Sequence, residues 1–302
     1  MKVVTIIKPR VAVIILNYNN PTDTISCLQN IREIDYDNFQ TIIIDNHSTD
    51  DSVSRIKDAL LPSELFIKAP INKGYAAGNN LGIKKMQNQG TDYFCILNND
   101  VEVSPNFLDI LVTKMTENPN LGIVGPKICD FDNRDLVQAT GSIVDMNFGR
   151  ATELNKNQPV REVASEVISC DYVGGACMLV RSKVIEQVGL IPEDYFLFYE
   201  ENEWCAKVKQ AGYQIACVTD ATVYHKGSHT INQIGGLSEY FMYRNLVIFV
   251  NRNGSFKNRM IFLTYFIGFC FKSLLFKKHG GRFFCYFWDA ITGVNRYQYL
   301  QK

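Results

Sequence analysis

Apolar runs and helical patterns alternate through the first hundred residues. Val11–Asn17 (VAVIILN) reads as a buried strand and Thr22–Ile34 as a helix. Thr41–Asp45 (TIIID) predicts a second strand, and in Thr49–Leu61 the residues Val53, Ile56 and Leu60 fall on one helical face. A third strand (ELFIKA), a helix over 74–89 and a fourth strand (DYFCILN) continue the alternation. Continuous apolar strands separated by helices predict an α/β fold, with a mostly parallel sheet covered on both faces.

The second half reads differently. Gly125–Arg150 carries turn residues and short apolar runs, which predicts irregular antiparallel additions, and the polar stretch 151–166 reads as a loop. Cys170–Gly189 supplies a strand and a short helix, with Gly174 and Gly175 permitting close backbone approach. A helix ends at Gly212, and QIACV and ATVYH read as two short final strands. No repeat or low-complexity segment interrupts the chain.

Open α/β sheets bind ligands in the crevice outside the carboxyl ends of their strands. Three such ends are polar here: NYNN after the first strand, DNHSTDDS after the second and NNDVE after the fourth. Asp45, Asp100 and Glu102 therefore stand where carboxylates would meet a ligand. Asn, Asp and Ser also cap helices and form turns, and Thr49 or Asp50 reads as such a cap.

Composition narrows the classes. The 302 residues hold 31 Lys plus Arg against 31 Asp plus Glu, which gives no sign of a nucleic-acid partner. Nine scattered cysteines without a C-x-x-C pair argue against a disulfide framework or zinc site and for a reducing cytoplasm. The opening MKVVTIIKPR has too short an apolar run for a secretory signal, so a cytosolic protein is expected. No G-x-G-x-x-G follows the first strand, which disfavours a dehydrogenase, and NYNNPTD lacks the basic Gly-rich loop of a nucleotidyltransferase. A non-catalytic saccharide-binding protein stays open.

Two further clusters bear on chemistry. FYEENEW places Glu200, Glu201 and Glu203 at a helix start, where the macrodipole favours acids, yet Tyr195, Phe196, Phe198, Tyr199 and Trp204 surround them. An aromatic wall with one carboxylate suits a sugar cleft with a general base, since desolvation raises a carboxyl toward working pH. His225 closes ATVYH, and His229 follows in a stretch without helical character.

From residue 251 the chain is basic and aromatic, with Asp289 its single acid. Residues 260–271 form an uninterrupted apolar run of 12, short of the roughly 20 that span a bilayer. The segment reads either as a core helix or as one lying on an anionic cytoplasmic leaflet, and the flanking Lys/Arg suit the latter.

Taken in order, VAVIILNYNN, IIIDNHSTDDS, NKGYAAGNN, ILNNDVEV, GGACMLVRS, FLFYEENEWCAKVKQAGY and VYHKGS resemble the family 2 glycosyltransferases, inverting enzymes with the GT-A fold. The match spans roughly residues 11–229. NKGYAAGNN and the RN of MYRNLVIF are similar to bacterial rhamnosyltransferases of polysaccharide and O-antigen assembly. The resemblance implies a catalytic domain over 1–235, with a donor half to about 104 and an acceptor half beyond it, and a helical extension over 236–302. It implies that Asn17, Tyr18 and Asp45 bind the nucleotide, and that Asn72, Gly74 and Asn80 lie under the ribose and diphosphate, with Gly74 and Gly78 letting backbone come close. NNDVE matches the D-x-D motif, so Asn99 and Asp100 would meet the donor, and Asp100, Glu102 and His225 would hold Mg²⁺ or Mn²⁺. Glu201 falls at the catalytic base, Glu200 would orient acceptor or base, and Gly175, Tyr199 and Trp204 would line the acceptor site. The implied donor is a nucleoside-diphosphate sugar, dTDP-rhamnose foremost. The implied acceptor is a lipid-linked saccharide at the cytoplasmic face of the plasma membrane, and a homo-oligomer is left open.

Overall fold

The computed structural model describes residues 8–227 and 236–301. Most of the opening segment and His229 lie outside these residues.

The first half folds as the periodicity predicts. Strands β1 (Val11–Asn17), β2 (Phe39–Asp45), β3 (Leu65–Lys68) and β4 (Tyr93–Asn98) alternate with helices α1 (Pro21–Ile31), α2 (Ser52–Ala59) and α3 (Tyr75–Met86). Then come β5 (Val101–Val103), α4 (Phe107–Glu117), β6 (Leu121–Asp130), β7 (Val137–Ala139), β8 (Ser142–Asp145), β9 (Arg150–Glu153) and β10 (Val167–Ser169). Strand β11 (Cys177–Arg181), α5 (Ser182–Val188), α6 (Glu200–Gln210) and β12 (Gln214–His225) follow. Helices α7 (Leu237–Asn253), α8 (Phe256–Phe276) and α9 (Arg282–Thr292) end the chain's regular structure.

The main sheet runs β10-β12-β6-β11-β4-β1-β2-β3, with β5 on β12 and β7 on β6. Strands β1 to β4 are mutually parallel where they pair, β11 is antiparallel to both its neighbours, and β12 is parallel to β6. Register sets Asn17 beside Asp45 and Leu16 beside Asn98, so three polar strand ends stand level at one edge. Alternation divides the core by face. Val11, Val13 and Ile15 pack with Leu28, Leu108 and Met115, while Ala12 and Ile14 pack with Ile83, Met86, Trp204 and Val208 on the other side.

Two expectations are revised. QIACV and ATVYH form one strand, β12, whose pairing with β6 shifts register between Val218 and Thr222, so that a bulge reads in sequence as a break. The polar stretch after 150 is partly strand, since β9 pairs with β8. All four β9 residues are exposed, which removes the alternation that marks a half-buried strand.

The C-terminal helices pack around Tyr195, Val247, Phe249, Val250, Phe262, Phe266 and Phe283. Helix α8 has 21 residues, longer than the 12-residue run delimited in the sequence, because the helix already starts at Phe256 and passes through Lys272 to Phe276. By length and composition it is apolar enough to cross a membrane, yet it buries only Phe262, Phe266, Cys270 and Ser273. Phe256, Leu275, Phe276 and Trp288 of α8 and α9 are at least 65% exposed, leaving an uncovered apolar face.

Candidate active site

The β1 and β2 exits are joined by buried hydrogen bonds. Asn17 Nδ2 donates to Asp45 Oδ1 at 2.9 Å and to Ser48 Oγ at 3.0 Å, while Thr24 Oγ1 donates to Asn17 Oδ1 at 2.8 Å. The Ser48 backbone N–H donates to Asp45 Oδ2 at 3.1 Å. Asn17 and Asp45 are both fully buried, so their side chains build the floor of the crevice and do not present themselves to its opening. Tyr18, next along, is half-buried. Asn99 Nδ2 reaches Thr24 Oγ1 at 2.9 Å, which ties the turn after β4 to α1.

That turn aims Asp100 at His225. Asp100 Oδ1 and His225 Nε2 lie 3.4 Å apart, and both atoms are buried with no hydrogen-bond partner among the described residues. Gln138 Nε2 donates to the His225 carbonyl at 2.9 Å, so its Oε1 faces the ring and takes the Nδ1 proton at 3.2 Å. In a neutral imidazole this leaves Nε2 as a lone pair opposite a carboxylate oxygen. A cation between the two atoms, or a proton on Nε2, satisfies both, and an outer partner on the far ring nitrogen is typical of a ligating histidine. Neighbouring ligands on an octahedral ion of Mg²⁺ size stand about 3 Å apart, close to the observed separation. The pair fits a small divalent ion.

Glu102 does not join them. Its two oxygens accept from Arg134 Nη1 and Nη2, each at 2.8 Å, and that guanidinium stacks over Tyr224. Val101 and Val103 point into the core, so strand alternation turns Glu102 outward between them. Among the described residues no other His, Cys, Asp or Glu completes a cluster of three, so further ligands would come from a bound diphosphate or water.

The carboxylates of α6 sit in a drier place. Burial pushes the Glu201 carboxyl up to about 7. The neighbouring Glu200 is raised well above its ordinary value by burial and then by the Glu201 charge, with backbone N–H groups of Glu200 and Phe198 opposing this. Glu200 Oε2 is buried without a partner among the described residues. A carboxyl that titrates near neutral pH suits a general base.

Glu201 rests on Gly175, where an added Cβ would lie 1.9 Å from Oε1. Tyr75 Oη donates to the Gly175 carbonyl at 2.9 Å, and the Asn98 N–H donates to Ala176 O at 3.0 Å. The base candidate is thereby fixed beside the β4 exit that carries Asp100. The obstacle at Gly175 is the tip of a flexible side chain, so Gly175→Ala should fold and displace Glu201. Expected are a melting temperature within about 3 °C of wild type and turnover lowered about 10²-fold, read from thermal melts and initial rates.

Other expected contacts fall elsewhere. Asn80 is tied off by Ile191 and Glu193, its Nδ2 donating to both at 2.9 Å and its Oδ1 accepting from Ile191 N at 3.1 Å. Gly74 (φ 92°) admits the backbone of Phe196, whose carbonyl would lie 2.1 Å from an added Cβ, and Gly78 admits Leu16. Both glycines thus serve internal packing, where close approach to a ligand was expected. Asn72 Oδ1 accepts from Gly74 N at 2.9 Å and from Asn46 Nδ2 at 3.0 Å, shaping the same loop. Trp204 is fully buried, its indole N–H on Gly189 O, so it does not form the open face of a sugar cleft, while Tyr199 is half-buried and packs against Phe249 of α7. Gln138, Asn46 and Asn245 hold the site together and carry no sequence signal beyond their polarity, apart from the RN pair containing Asn245.

Comparison with known proteins identifies the family and the fold. A family model described as Glycosyl transferase family 2 matches residues 12–189, more than half of the chain. The chain is 25% identical over 207 residues to the low-salt glycan biosynthesis hexosyltransferase Agl10 of Haloferax volcanii, covering 68% of this chain and 63% of that protein. It is 23% identical over 250 residues to the dTDP-rhamnosyl transferase RfbF of Shigella flexneri, covering 80% of this chain and 79% of that one. Among solved structures it is similar to mannosyltransferase PcManGT from Pyrobaculum calidifontis in complex with GDP-Man and Mn²⁺. The TM-score is 0.57 at 16% identity, covering 98% of this chain and 84% of that one. That likeness shows the fold, which is the GT-A arrangement.

Proposed function

The chain belongs to glycosyl transferase family 2, and from that premise we propose that it moves a sugar from a nucleoside-diphosphate donor to an acceptor hydroxyl with inversion. The observation that carries this reading is the pairing of a neutral-range carboxyl, Glu201, with the Asp100–His225 acceptor pair at one edge of the sheet. Glu201 takes the acceptor hydroxyl's proton as that oxygen attacks the anomeric carbon, and the bond to the diphosphate breaks on the opposite face. Asp100 and His225 would hold Mg²⁺ or Mn²⁺, which when bound neutralises the leaving diphosphate. Glu200, buried beside the base, discourages a second negative charge and so keeps the pair from ionising together.

The donor is a nucleoside-diphosphate sugar, with dTDP-rhamnose the first candidate because a dTDP-rhamnosyl transferase is among the relatives. A UDP-hexose, a UDP-HexNAc and a galactofuranose donor are the alternatives. The acceptor is a lipid-linked saccharide in glycan or cell-surface polysaccharide synthesis. The support is the exposed apolar face of α8 and α9 with Lys257, Arg259, Lys272 and Lys278 on or next to α8, a combination suited to an anionic lipid surface.

Two measurements test this. In a thermal-shift panel of nucleotide sugars with Mn²⁺, dTDP-rhamnose should raise the melting temperature most; a larger shift with a UDP-sugar would reassign the donor. The full chain should sediment with vesicles containing anionic phosphatidylglycerol and less with pure phosphatidylcholine. A chain that stays in the supernatant with both would remove the membrane surface from the account.

A further inference from the structure

The loop entering α6 has an uncommon backbone. Phe196, Phe198 and Tyr199 have φ of 67°, 64° and 74°, a region that bulky residues rarely adopt because Cβ crowds the carbonyl. Such conformations persist only where the surroundings hold them. Here one side chain of α7 does much of the holding. Asn245 Nδ2 donates to the carbonyls of Tyr195 (3.0 Å), Leu197 (2.7 Å) and Phe198 (3.1 Å). Two amide hydrogens are thus shared among three carbonyls that converge on one point.

The amide cannot turn over. Its Oδ1 accepts from Arg244 Nη1 at 2.8 Å, so only the nitrogen end faces the loop. Arg244 is itself buried and fixed by Nε donating to the Val294 carbonyl at 2.8 Å, just past α9. Phe198 connects this clamp to the site, because its carbonyl goes to Asn245 while its N–H faces the carboxyl of Glu200. Seven residues further along α7, Arg252 reaches Asp194 at 3.0 Å and Glu203 at 3.4 Å, bracketing the same loop and helix.

We propose that Asn245, oriented by Arg244, is a positioning residue for Glu201. Its amide gathers the carbonyls of Tyr195, Leu197 and Phe198 and thereby sets the direction in which the first turn of α6 presents its carboxylates. This rests on Glu201 acting as the base. It gives the extension a part in the chemistry, since the clamp is built from α7 and anchored at the end of α9.

Asn245→Asp keeps the size of the side chain and turns the donor into a charged acceptor facing three carbonyls. Expected is a fall in kcat of about 10²-fold with donor KM within about threefold, and a displaced acidic limb in the pH profile of kcat. An unchanged kcat and profile overturns the inference, as does an equal loss of kcat and donor affinity, which a merely structural role would produce. If that variant fails to fold, Asn245→Gln, which keeps the donor and adds one methylene, carries the test by the same two readouts. Failure of both to fold also overturns it, because the amide would then hold the fold and not aim the base. Glu201→Gln measured alongside separates the two claims. Retained turnover there sinks the base assignment, whereas its loss together with a normal Asn245→Asp sinks the positioning role alone.

Discussion

Glu201→Gln lowers turnover by about 10²–10⁴-fold while donor affinity stays within about threefold. The variant keeps the shape of the side chain and removes only the capacity to accept a proton. Because the Glu201 carboxyl lies at about 7 in the free protein and a base must be ionised to act, wild-type kcat/KM should rise with pH through about 7 and then level, and the variant should lack that limb. The stability consequence has the opposite sign. A carboxyl raised from 4.5 in the unfolded chain to about 7 in the fold binds more protons when folded, so stability falls as pH rises between those values. Above that window Glu201→Gln should melt at or above the wild-type temperature, and below pH 4.5 the two should converge. Loss of activity in a variant that is no less stable would place the effect on proton transfer. Rates and melts across pH check both halves.

Asp100→Ala removes one side of the acceptor pair and should damage binding and turnover together. Charge neutralisation of a leaving diphosphate is worth several kcal/mol, or about 10³-fold in rate. Titration calorimetry of Mn²⁺ with a nucleoside diphosphate should lose the metal-dependent part of binding. Glu102→Gln is the informative control. It breaks an ion pair with Arg134 that is more than a third exposed on both sides, an arrangement worth about 0–1 kcal/mol. Turnover should stay within about threefold of wild type. A Glu102 effect as large as that of Asp100 would return Glu102 to the metal set.

Strand ends, the parallel half of the sheet and the acidic start of α6 were legible in the sequence because each has a local signature. Apolar runs end in amides at Asn17 and Asn98, and register places those ends level. What the sequence could not show is which way a polar side chain turns. Asp100 and Glu102 look equivalent two residues apart, and only the pairing of β5 with β12 sends one to His225 and the other to Arg134. Asn80 and Trp204 are polar or aromatic residues of a matching motif, yet long-range contacts with 189–193 claim them. Asn245 lies 44 residues beyond Glu201, so its hold on the loop before α6 has no local trace.

The central claim is a single displacement in which Glu201 deprotonates the acceptor. The most direct measurement is the anomeric configuration of the product, read by proton NMR with the stabilising nucleotide sugar, Mn²⁺ and a saccharide acceptor. The account predicts a glycoside inverted relative to the donor, formed with stoichiometric release of nucleoside diphosphate. A product with the donor's configuration retained would contradict it.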